Sequence, residues 1–540
     1  MQVTLKSIWF NHDPKFETTG AFYIRRNETE IVELPEWEGG RCTTPTPECS
    51  PVAYAIEGLP EKITIKASFR SDDPPAQGLY IKAVADCGEM DSLRRLNVLG
   101  DSEETLVQFT DGEALNVPFH FVSKGIAQSG ASASDLMWHW QYRTDLNQAW
   151  SDFATTEHRV YTVPRMPTCP WEPLSNVSAN IQIPWTEALE YACHWATGVT
   201  ENLDLATSMI THRVYALGGV LLKWQQSAKY AFGKLCLTKF LDLLRGGIGK
   251  GQTLNCDDCA AIVSTFANLL GADLWQSSMG NDFHTKPVLL IGDSHWRRVG
   301  FSHHSVAWKG PCTENDELFD ACLQVDGDGK PNLPPQRPKQ PTNMQFHARG
   351  GNSYKSALFL QGACNPIPRD PTDGRQRRQF GSGWLAQQTF EGSPDLDRLK
   401  TQYDWDLWPT SADRAEIDVR SLAEQFEFPG FTSSPIERFE LDNIVRVFHK
   451  ILEPSDSPVT QLIDLHLYEC PGALSSSDVL LRVLSCFESG LSRSSDPTVG
   501  EIFLAPDADI VVFRRERFVG VVRSVGRKSL NIIPSLAQFL

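Results

Sequence analysis

The sequence lacks the long apolar runs that membrane insertion and standard secretion require. No run of about 18 apolar residues occurs in the 540-residue chain, so a transmembrane helix is not predicted. The N-terminal segment, MQVTLKSIWFNHDPKF, has scattered charges and no apolar core, so a standard secretory signal is not predicted either. Cysteine is scarce: the 13 residues are odd in number and irregularly spaced, which does not fit a disulfide scaffold. We therefore expect mostly reduced, buried thiols in a cytoplasmic protein.

Positive charge is also in deficit. Lys and Arg number 50 against 67 Asp and Glu, giving a net charge of −17, so broad binding to nucleic acid or to an anionic membrane is not expected. Hydrophobic residues make up 41% of the chain, enough for sizeable cores and too many for a disordered protein. No internal repeat is evident. The length predicts three or four domains.

The first part of the chain is rich in short β-branched and aromatic segments separated by turns. This pattern predicts a β-sandwich-like domain over residues 1–170 that ends in the proline-rich segment 164–173. Trp138, Trp140 and Tyr142 share one face of a predicted strand. Such a face is either sandwich core or an aromatic platform for a ligand such as a glycan. The predicted strands are 63–69, 78–86, 117–122, 136–143 and 157–163.

From about residue 180 the pattern becomes helical and then alternates with strands. We predict an α+β multidomain protein, with a central domain at 175–370 and a small α+β domain at 400–540. Thr186 is the predicted cap of the first helix. The predicted helices are 186–195, 201–217, 234–247, 257–271 and 476–491, and the predicted strands are 287–292, 296–301, 303–310, 317–326, 509–514, 517–525 and 529–533. Two polar breaks, 330–343 and 369–383, are predicted loops.

Three residues of the central domain suggest nucleophilic chemistry. Cys256 follows a glycine-rich loop at a predicted helix start, where the free N–H groups and the dipole favour a thiolate. His304 opens a predicted strand, and a hairpin of suitable size sets Asp320, 16 residues later, beside it. The carboxylate would then orient the imidazole, which would activate the thiol. Asp257 and Asp258 oppose this, because their charges raise the pKa of Cys256.

This arrangement resembles the transglutaminase-like superfamily of papain-like thiol enzymes over about residues 185–330. The signature is a cysteine at a helix start, alanine four residues later and Leu-Gly near the helix end, here Cys256, Ala260 and 270–271, followed by the spaced His and Asp. The resemblance implies a nucleophile at Cys256, a general base at His304 and an orienting acid at Asp320. It implies no metal and no organic cofactor.

Several assignments stay open at this stage. His303 is an alternative base, although neighbouring strand residues face opposite sides and only one is expected to reach the thiol. Asp326 is an alternative acid. The oxyanion donor is either Gln252 or the backbone N–H groups of the helix start. Cys259 completes a C-x-x-C pair, whose favoured role is a small buried side chain. The segments GIGKGQT (247–253), DGDGK (326–330) and RQRR (375–378) are predicted to be loops or turns.

The sequence thus predicts acyl transfer at an amide carbonyl through a Cys256 thioester. Hydrolysis by a cysteine peptidase, amidase or deamidase is favoured, since water needs no second binding site. The expected partner is a protein or peptide substrate, offering a glutamine or a peptide amide. Transglutaminase-type transamidation onto an amine is one alternative. A catalytically degenerate binding or scaffold protein on the same fold is another.

Overall fold

The chain, seen here as a computed structural model, is a strand-rich mixture of helices and sheets that divides into two compact units. The first contains residues 1–210 and 265–273, and the second contains residues 211–264 and 274–540. The three-domain division expected from the sequence stays a prediction. The structure describes residues 1–13, 19–27, 30–42, 46–86, 98–122, 124–172, 183–218, 222–228, 230–232, 234–244, 253–293, 295–327, 338–348, 353–372, 376, 418–433, 436–440, 446–455, 461–470, 476, 479–480, 483–484, 491–496, 500–504, 510–515 and 517–526.

Two mostly antiparallel sheets make up most of the first unit. Its strands are β1 (Val3–Trp9), β2 (Ala21–Phe22), β3 (Trp37–Glu38), β4 (Pro51–Ala55), β5 (Lys62–Ser71), β6 (Leu79–Ala85), β7 (Thr105–Val107), β8 (Glu113–Val122), β9 (Ser132–Arg143) and β10 (Ser151–Val163). One sheet has the order β3-β1-β5-β8 and the other β2-β4-β10-β9-β6-β7, with only β4 and β10 parallel. Residues of both sheets form one apolar core. All five strands predicted in this region are found.

The tryptophans of β9 belong to that core. Trp138 and Trp140 are fully buried and pack against Phe10, Phe69 and Phe119. The Trp138 indole donates to the Gly100 carbonyl (3.0 Å) and the Trp140 indole to the Thr156 hydroxyl (3.1 Å). Buried aromatic rings with satisfied N–H groups stabilise the core and offer no ligand surface. The alternative of an aromatic platform for a glycan is therefore wrong.

Seven helices and one 3-10 turn lie within the described residues. They are the turn Pro47–Cys49, α1 (Lys124–Ser129), α2 (Thr186–Trp195), α3 (Leu203–Ala216), α4 (Leu237–Leu244), α5 (Cys256–Leu269), α6 (Tyr354–Leu358) and α7 (Val419–Gln425). The bounds of α2 match the prediction, but Trp185 occupies the N-cap and Thr186 donates its hydroxyl to the Arg26 carbonyl, so the predicted cap is wrong. None of these helices is both long and apolar enough to cross a membrane.

The second unit has a five-stranded sheet in the order β21-β18-β17-β15-β22 and a three-stranded sheet in the order β16-β19-β20. A third sheet, near the C-terminus, has the order β23-β25-β26-β30-β29-β28-β27 and packs with α7 around its own apolar core. The strands are β11 (Lys223–Trp224), β12 (Ala231–Phe232), β13 (Lys234–Leu235), β14 (Thr253–Leu254), β15 (Trp275–Thr285), β16 (Leu289–Leu290), β17 (Gly300–Trp308), β18 (Glu317–Phe319), β19 (Leu323–Asp326), β20 (Pro338–Lys339), β21 (Met344–Gln345), β22 (Phe359–Ala363), β23 (Phe431–Ser433), β24 (Glu437–Glu440), β25 (Arg446–Pro454), β26 (Gln461–Glu469), β27 (Ser492–Asp496), β28 (Gly500–Leu504), β29 (Ile510–Arg515) and β30 (Phe518–Gly526).

Two predictions of strand boundaries in this unit are wrong. The end of the segment 296–301 and most of the segment 303–310 form the single strand β17, and the predicted strand 317–326 is broken between β18 and β19. Helix α5 begins and ends within two residues of the prediction 257–271, and only Asp257 among its residues is not buried. The predicted strand 529–533 and most of the predicted helix 476–491 lie outside the described residues, as do most of the segments 369–383 and 375–378.

Candidate active site

The start of α5 is held by a reciprocal pair of side-chain caps. Asn255 accepts the N–H of Asp258 (3.1 Å), and the Asp258 carboxylate accepts the N–H of Asn255 (3.0 Å). The same buried carboxylate accepts the N–H groups of Tyr230 and Ala231, both at 2.8 Å. This is the arrangement of a capping box, and it fixes Cys256 as the first residue of the helix. The sequence carries its signal: Asn-x-x-Asp precedes an apolar run.

Strand β17 carries both candidate histidines, and its neighbour β18 leads to the candidate acid. The two strands pair antiparallel, with Ala307 opposite Phe319. His304 lies in the middle of β17, so it does not begin a strand as predicted, and Asp320 directly follows β18. Both side chains are buried, and the His304 Nε2 to Asp320 Oδ2 distance is 2.8 Å. The predicted hairpin therefore brings this imidazole and this carboxylate together. The carboxylate that bonds His304 belongs to Asp320, and the alternative Asp326 lies at the end of β19.

Both oxygens of the Asp320 carboxylate accept hydrogen bonds from neighbouring groups. Tyr354, the first residue of α6, donates its hydroxyl to Oδ2 (2.5 Å), and the N–H of Cys322 donates to Oδ1 (2.7 Å). Burial, and then the charge of Asp320, raise the pKa of Tyr354 well above its usual range, so the phenol stays a donor. These contacts fix the direction of the carboxylate. Tyr354 was not identified from the sequence, because it lies 34 residues beyond its partner with no spacing signal.

The His304 ring has one bonded and one available nitrogen. Nε2 is hydrogen-bonded to the Asp320 carboxylate, whereas Nδ1 is buried and has no hydrogen-bond partner among the described residues. If Nε2–H donates to the carboxylate, the neutral ring keeps a lone pair on Nδ1. The ring packs on Phe301, with centroids 4.5 Å apart. The geometry thus supplies an oriented imidazole with one nitrogen free to accept a proton.

The Cys256 thiol lies against the main chain of β17. Its Sγ is 3.8 Å from the carbonyl oxygen of His303, and the N–H of Ser305 also bonds the sulfur. The residue is only 4% exposed. Burial first, and then the charge of Asp257, raise the thiol pKa well above its ordinary value. The helix dipole expected to favour a thiolate is outweighed, so the thiol is protonated at neutral pH.

A second imidazole–carboxylate pair involves His303, the residue before His304 on β17. His303 Nε2 is 2.9 Å from Asp257 Oδ2, and the Ser305 hydroxyl donates to Asp257 Oδ1 (2.6 Å). The His303 side chain is 44% exposed. One atom each of Cys256, Asp257 and His303 lies within 4.8 Å of the others. Thiolate, imidazole and carboxylate are zinc ligands, so these three residues are the ones able to hold a soft divalent ion here. Because a ring nitrogen of His303 lies within 4.8 Å of the Cys256 sulfur, His303 stays a candidate base beside His304.

Two of the remaining predicted residues, Cys259 and Asp258, have structural roles beside the thiol. Cys259 is buried, as its favoured structural role requires. Asp258, expected to act on Cys256 by its charge, is instead the helix cap. Gln252, the candidate oxyanion donor, lies outside the described residues, as do most of the segment 247–253 and part of 326–330.

A buried indole N–H that the sequence did not single out belongs to β11, the strand that pairs with β14 just before the thiol. Trp224 pairs in register with Leu254, two residues before the thiol, and contacts Phe301 edge-on at 6.5 Å. Its Nε1 is buried and has no hydrogen-bond partner among the described residues. A buried donor without an acceptor is costly unless something else takes its hydrogen bond. Trp224 therefore joins the backbone N–H groups as a candidate oxyanion donor.

Comparisons with known proteins add little to this geometry. No protein-family model matches the chain, and no curated protein matches it. Among solved structures, the chain is similar to a transglutaminase from red sea bream, with 9% sequence identity, coverage of 86% of this chain and 90% of that one, and a TM-score of 0.30. A likeness at this level carries no argument about activity. The function is therefore inferred from the site alone.

Proposed function

We propose that the chain is a thiol enzyme that transfers acyl groups at amide carbonyls through Cys256, with water as the usual acceptor. The observation that carries the proposal is the buried His304–Asp320 pair, which leaves Nδ1 of the imidazole available on the strand against which the thiol lies. Cysteine at a helix start, histidine on one strand and aspartate after the next is also the transglutaminase-like arrangement. We place this arrangement within residues 175–370.

The proposed reaction steps follow from the protonation of the Cys256 thiol and the His304 imidazole. Because the thiol pKa is raised, the thiol is protonated at rest, and Nδ1 of His304 takes its proton as sulfur attacks the carbonyl carbon. Asp320 stabilises the imidazolium that forms. The imidazolium then returns the proton to the departing amine or ammonia, leaving a thioester on Cys256. Water, deprotonated by the same imidazole, hydrolyses the thioester and restores the thiol.

The substrate we propose is a protein or peptide that offers a glutamine carboxamide or a peptide bond. The exposed edge of the site supports this, since His303 and Asp257 are the parts that face solvent. An amine in place of water would make the enzyme a transamidase. The burial of Cys256 is the one observation that favours a catalytically degenerate binding protein instead. None of the described cysteines is in a disulfide bond, which is consistent with the cytoplasmic location we propose.

Thiol labelling tests the proposal before any substrate is known. Native full-length protein is treated with iodoacetamide across a pH series, and each cysteine is followed by peptide mapping. We compare wild type with His304→Ala, His303→Ala and Asp320→Ala. A working site predicts that Cys256 labels faster than the buried thiols Cys193 and Cys259 and loses this advantage in His304→Ala and Asp320→Ala. Loss in His303→Ala alone would move the base to His303. Labelling no faster than that of the two buried thiols would contradict the enzyme proposal.

Reaction products separate the remaining alternatives. Glutamine-containing peptides and peptide amides are incubated with wild type and with Cys256→Ala, with and without an added primary amine. Ammonia release and deamidated or cleaved peptide without the amine indicate hydrolysis. Amine incorporation that exceeds hydrolysis indicates transamidation. A reactive Cys256 with no product from any peptide would leave the degenerate scaffold as the better account.

A further inference from the structure

Three side chains from the start of α5 and from β17 bring metal-ligand atoms of three kinds together. One atom each of Cys256, Asp257 and His303 lies within 4.8 Å of the other two, and the Asp257 Oδ2 to His303 Nε2 distance is 2.9 Å. Thiolate sulfur, imidazole nitrogen and carboxylate oxygen are the donors that zinc binds in proteins. Among the residues that the structure describes, no other group of three such side chains comes within this distance.

The spacing and the exposure of this cluster suit a tetrahedral ion. Bonds of about 2.0–2.3 Å place the donor atoms around a tetrahedral zinc roughly 3.2–3.8 Å apart, so the widest separation here needs to shrink by about 1 Å at most. Rotation of the His303 side chain, which is 44% exposed, can close that gap. Asp257 is also partly exposed, at 18%, so water can reach the ion as its fourth ligand.

Hydrogen bonds from outside the cluster already orient the Asp257 carboxylate. The Ser305 hydroxyl donates to Oδ1 (2.6 Å), while Oδ2 is directed at the His303 imidazole. The Gln276 side-chain amide donates to the main-chain carbonyl of Asp257 (3.1 Å). Partners of this kind hold a metal ligand in position, and losing one typically costs about 10–100-fold in affinity. An ion would therefore replace one imidazole–carboxylate hydrogen bond in a carboxylate that is already positioned.

We propose that Cys256, Asp257 and His303 bind Zn²⁺ and that the bound ion blocks the thiol. Zinc binds the sulfur as a thiolate, so the thiol proton passes to solvent as the Zn–S bond forms. The bound sulfur is then withheld from a carbonyl carbon or an alkylating agent. Zinc binding does not depend on the proposed function, whereas inhibition of acyl transfer rests on it. The ion acts as an inhibitor and not as a cofactor, because the proposed reaction needs the sulfur free.

Co²⁺ is the spectroscopic probe for this site, and Zn²⁺ is its competitor. Tetrahedral Co²⁺ with a thiolate ligand gives a sulfur-to-metal charge-transfer band in the near ultraviolet and intense visible bands. In the reduced full-length protein, we expect about one equivalent of Co²⁺ to give these bands, Zn²⁺ to abolish them and Mg²⁺, which prefers oxygen ligands, to leave them unchanged. The absence of a thiolate band, or a band that persists in Cys256→Ser, would overturn the proposal.

Variants of the other two ligands test the composition of the site. His303→Ala and Asp257→Asn should each weaken Co²⁺ binding at least about tenfold, because losing a ligand costs no less than losing a partner of a ligand. His139→Ala is the matched control, since this imidazole is 40% exposed and lies 3.9 Å from the Asp86 carboxylate, outside the cluster. Unchanged affinity in either ligand variant, or an equal loss in His139→Ala, would contradict the site. Wild type alone reports the band and its displacement, so a variant that fails to fold leaves the main test intact.

Alkylation and turnover separate this inference from the proposed function. At ten times its Kd, Zn²⁺ should slow iodoacetamide labelling of Cys256 about tenfold and leave the partly exposed Cys169 unaffected, and a chelator should restore the rate. Equal protection of Cys169 would contradict a specific site. A thiolate band in a protein that turns over no peptide would support the zinc site and count against the enzyme. Peptide turnover without a thiolate band would do the reverse.

Discussion

Replacing Asp257 by asparagine should make the Cys256 thiol more reactive at neutral pH. The Asp257 carboxylate follows the cysteine directly, and a carboxylate oxygen lies no more than 4.8 Å from the sulfur. After burial, this charge is the largest cause of the raised thiol pKa. Asparagine keeps the size of the side chain and can still accept the Ser305 hydroxyl. The change therefore removes a negative charge and lowers the pKa of Cys256, which increases the thiolate fraction.

The size of the effect follows from Coulomb's law. At 4.8 Å, two unit charges interact by about 0.9 kcal/mol in a water-like medium and about 3.5 kcal/mol at an effective dielectric constant of ~20. At about 1.4 kcal/mol per factor of ten, the thiolate fraction rises roughly 4-fold to 300-fold. A less basic thiolate is also a weaker nucleophile, so the labelling rate gains about half of this on a logarithmic scale, or roughly 2-fold to 17-fold. When His303 is protonated, its positive charge offsets that of Asp257, so the expected gain in labelling rate is then near the lower end of this range.

The assay is the rate of iodoacetamide labelling of Cys256 in the native full chain, between pH 6 and 9 (about the range in which thiols titrate). Asp282→Asn is the matched control, because it removes the same charge from β15 without contacting the thiol. Ser305→Ala is the second control, because it removes the hydroxyl from Asp257 without removing the charge. An unchanged or slower rate in Asp257→Asn, or an equal gain in Asp282→Asn, would refute the electrostatic reasoning.

Three further predictions concern stability, each read from urea unfolding of the full chain. Tyr354→Phe removes a buried hydrogen bond to a carboxylate and should cost about 1.5–3 kcal/mol; a loss below about 0.5 kcal/mol would mean that the bond contributes nothing. Asp258→Ala leaves three buried N–H groups unsatisfied and should cost at least about 3 kcal/mol, whereas Asp257→Ala should cost less than half as much; equal losses would refute the capping role. Burial raises the pKa of the Glu36 carboxyl to about 7. The contribution of Glu36 to the free energy of unfolding is therefore full below pH ~4.5 and falls by about 3 kcal/mol as the pH rises to ~7. Glu36→Gln should flatten this dependence of stability on pH, and an equal flattening in Glu38→Gln would contradict the role of Glu36.

The elements that carry strong local patterns were predicted from the sequence. The strands of the first unit alternate apolar and polar residues, and α2 and α5 have apolar residues at helical spacing, so their positions needed no knowledge of the rest of the chain. The His304–Asp320 contact was also predicted, because a short connection between two strands that follow each other leaves few ways to pair them. The capping role of Asp258 was missed although its Asn-x-x-Asp signal is local.

The sequence by itself determined where the strongly patterned strands and helices lie and which cysteine begins a helix, because these depend on the periodicity of neighbouring residues; β15 was not predicted. Only the tertiary structure decided the environment of each functional group. Tyr354 reaches Asp320 from a distant segment, the aromatic side chains of β9 are buried by the facing sheet, and the burial that is the largest cause of the raised thiol pKa of Cys256 comes from the surrounding elements. Burial depends on contacts between residues far apart in the chain, and no local spacing encodes it, whereas the charge of the adjacent Asp257 is visible in the sequence.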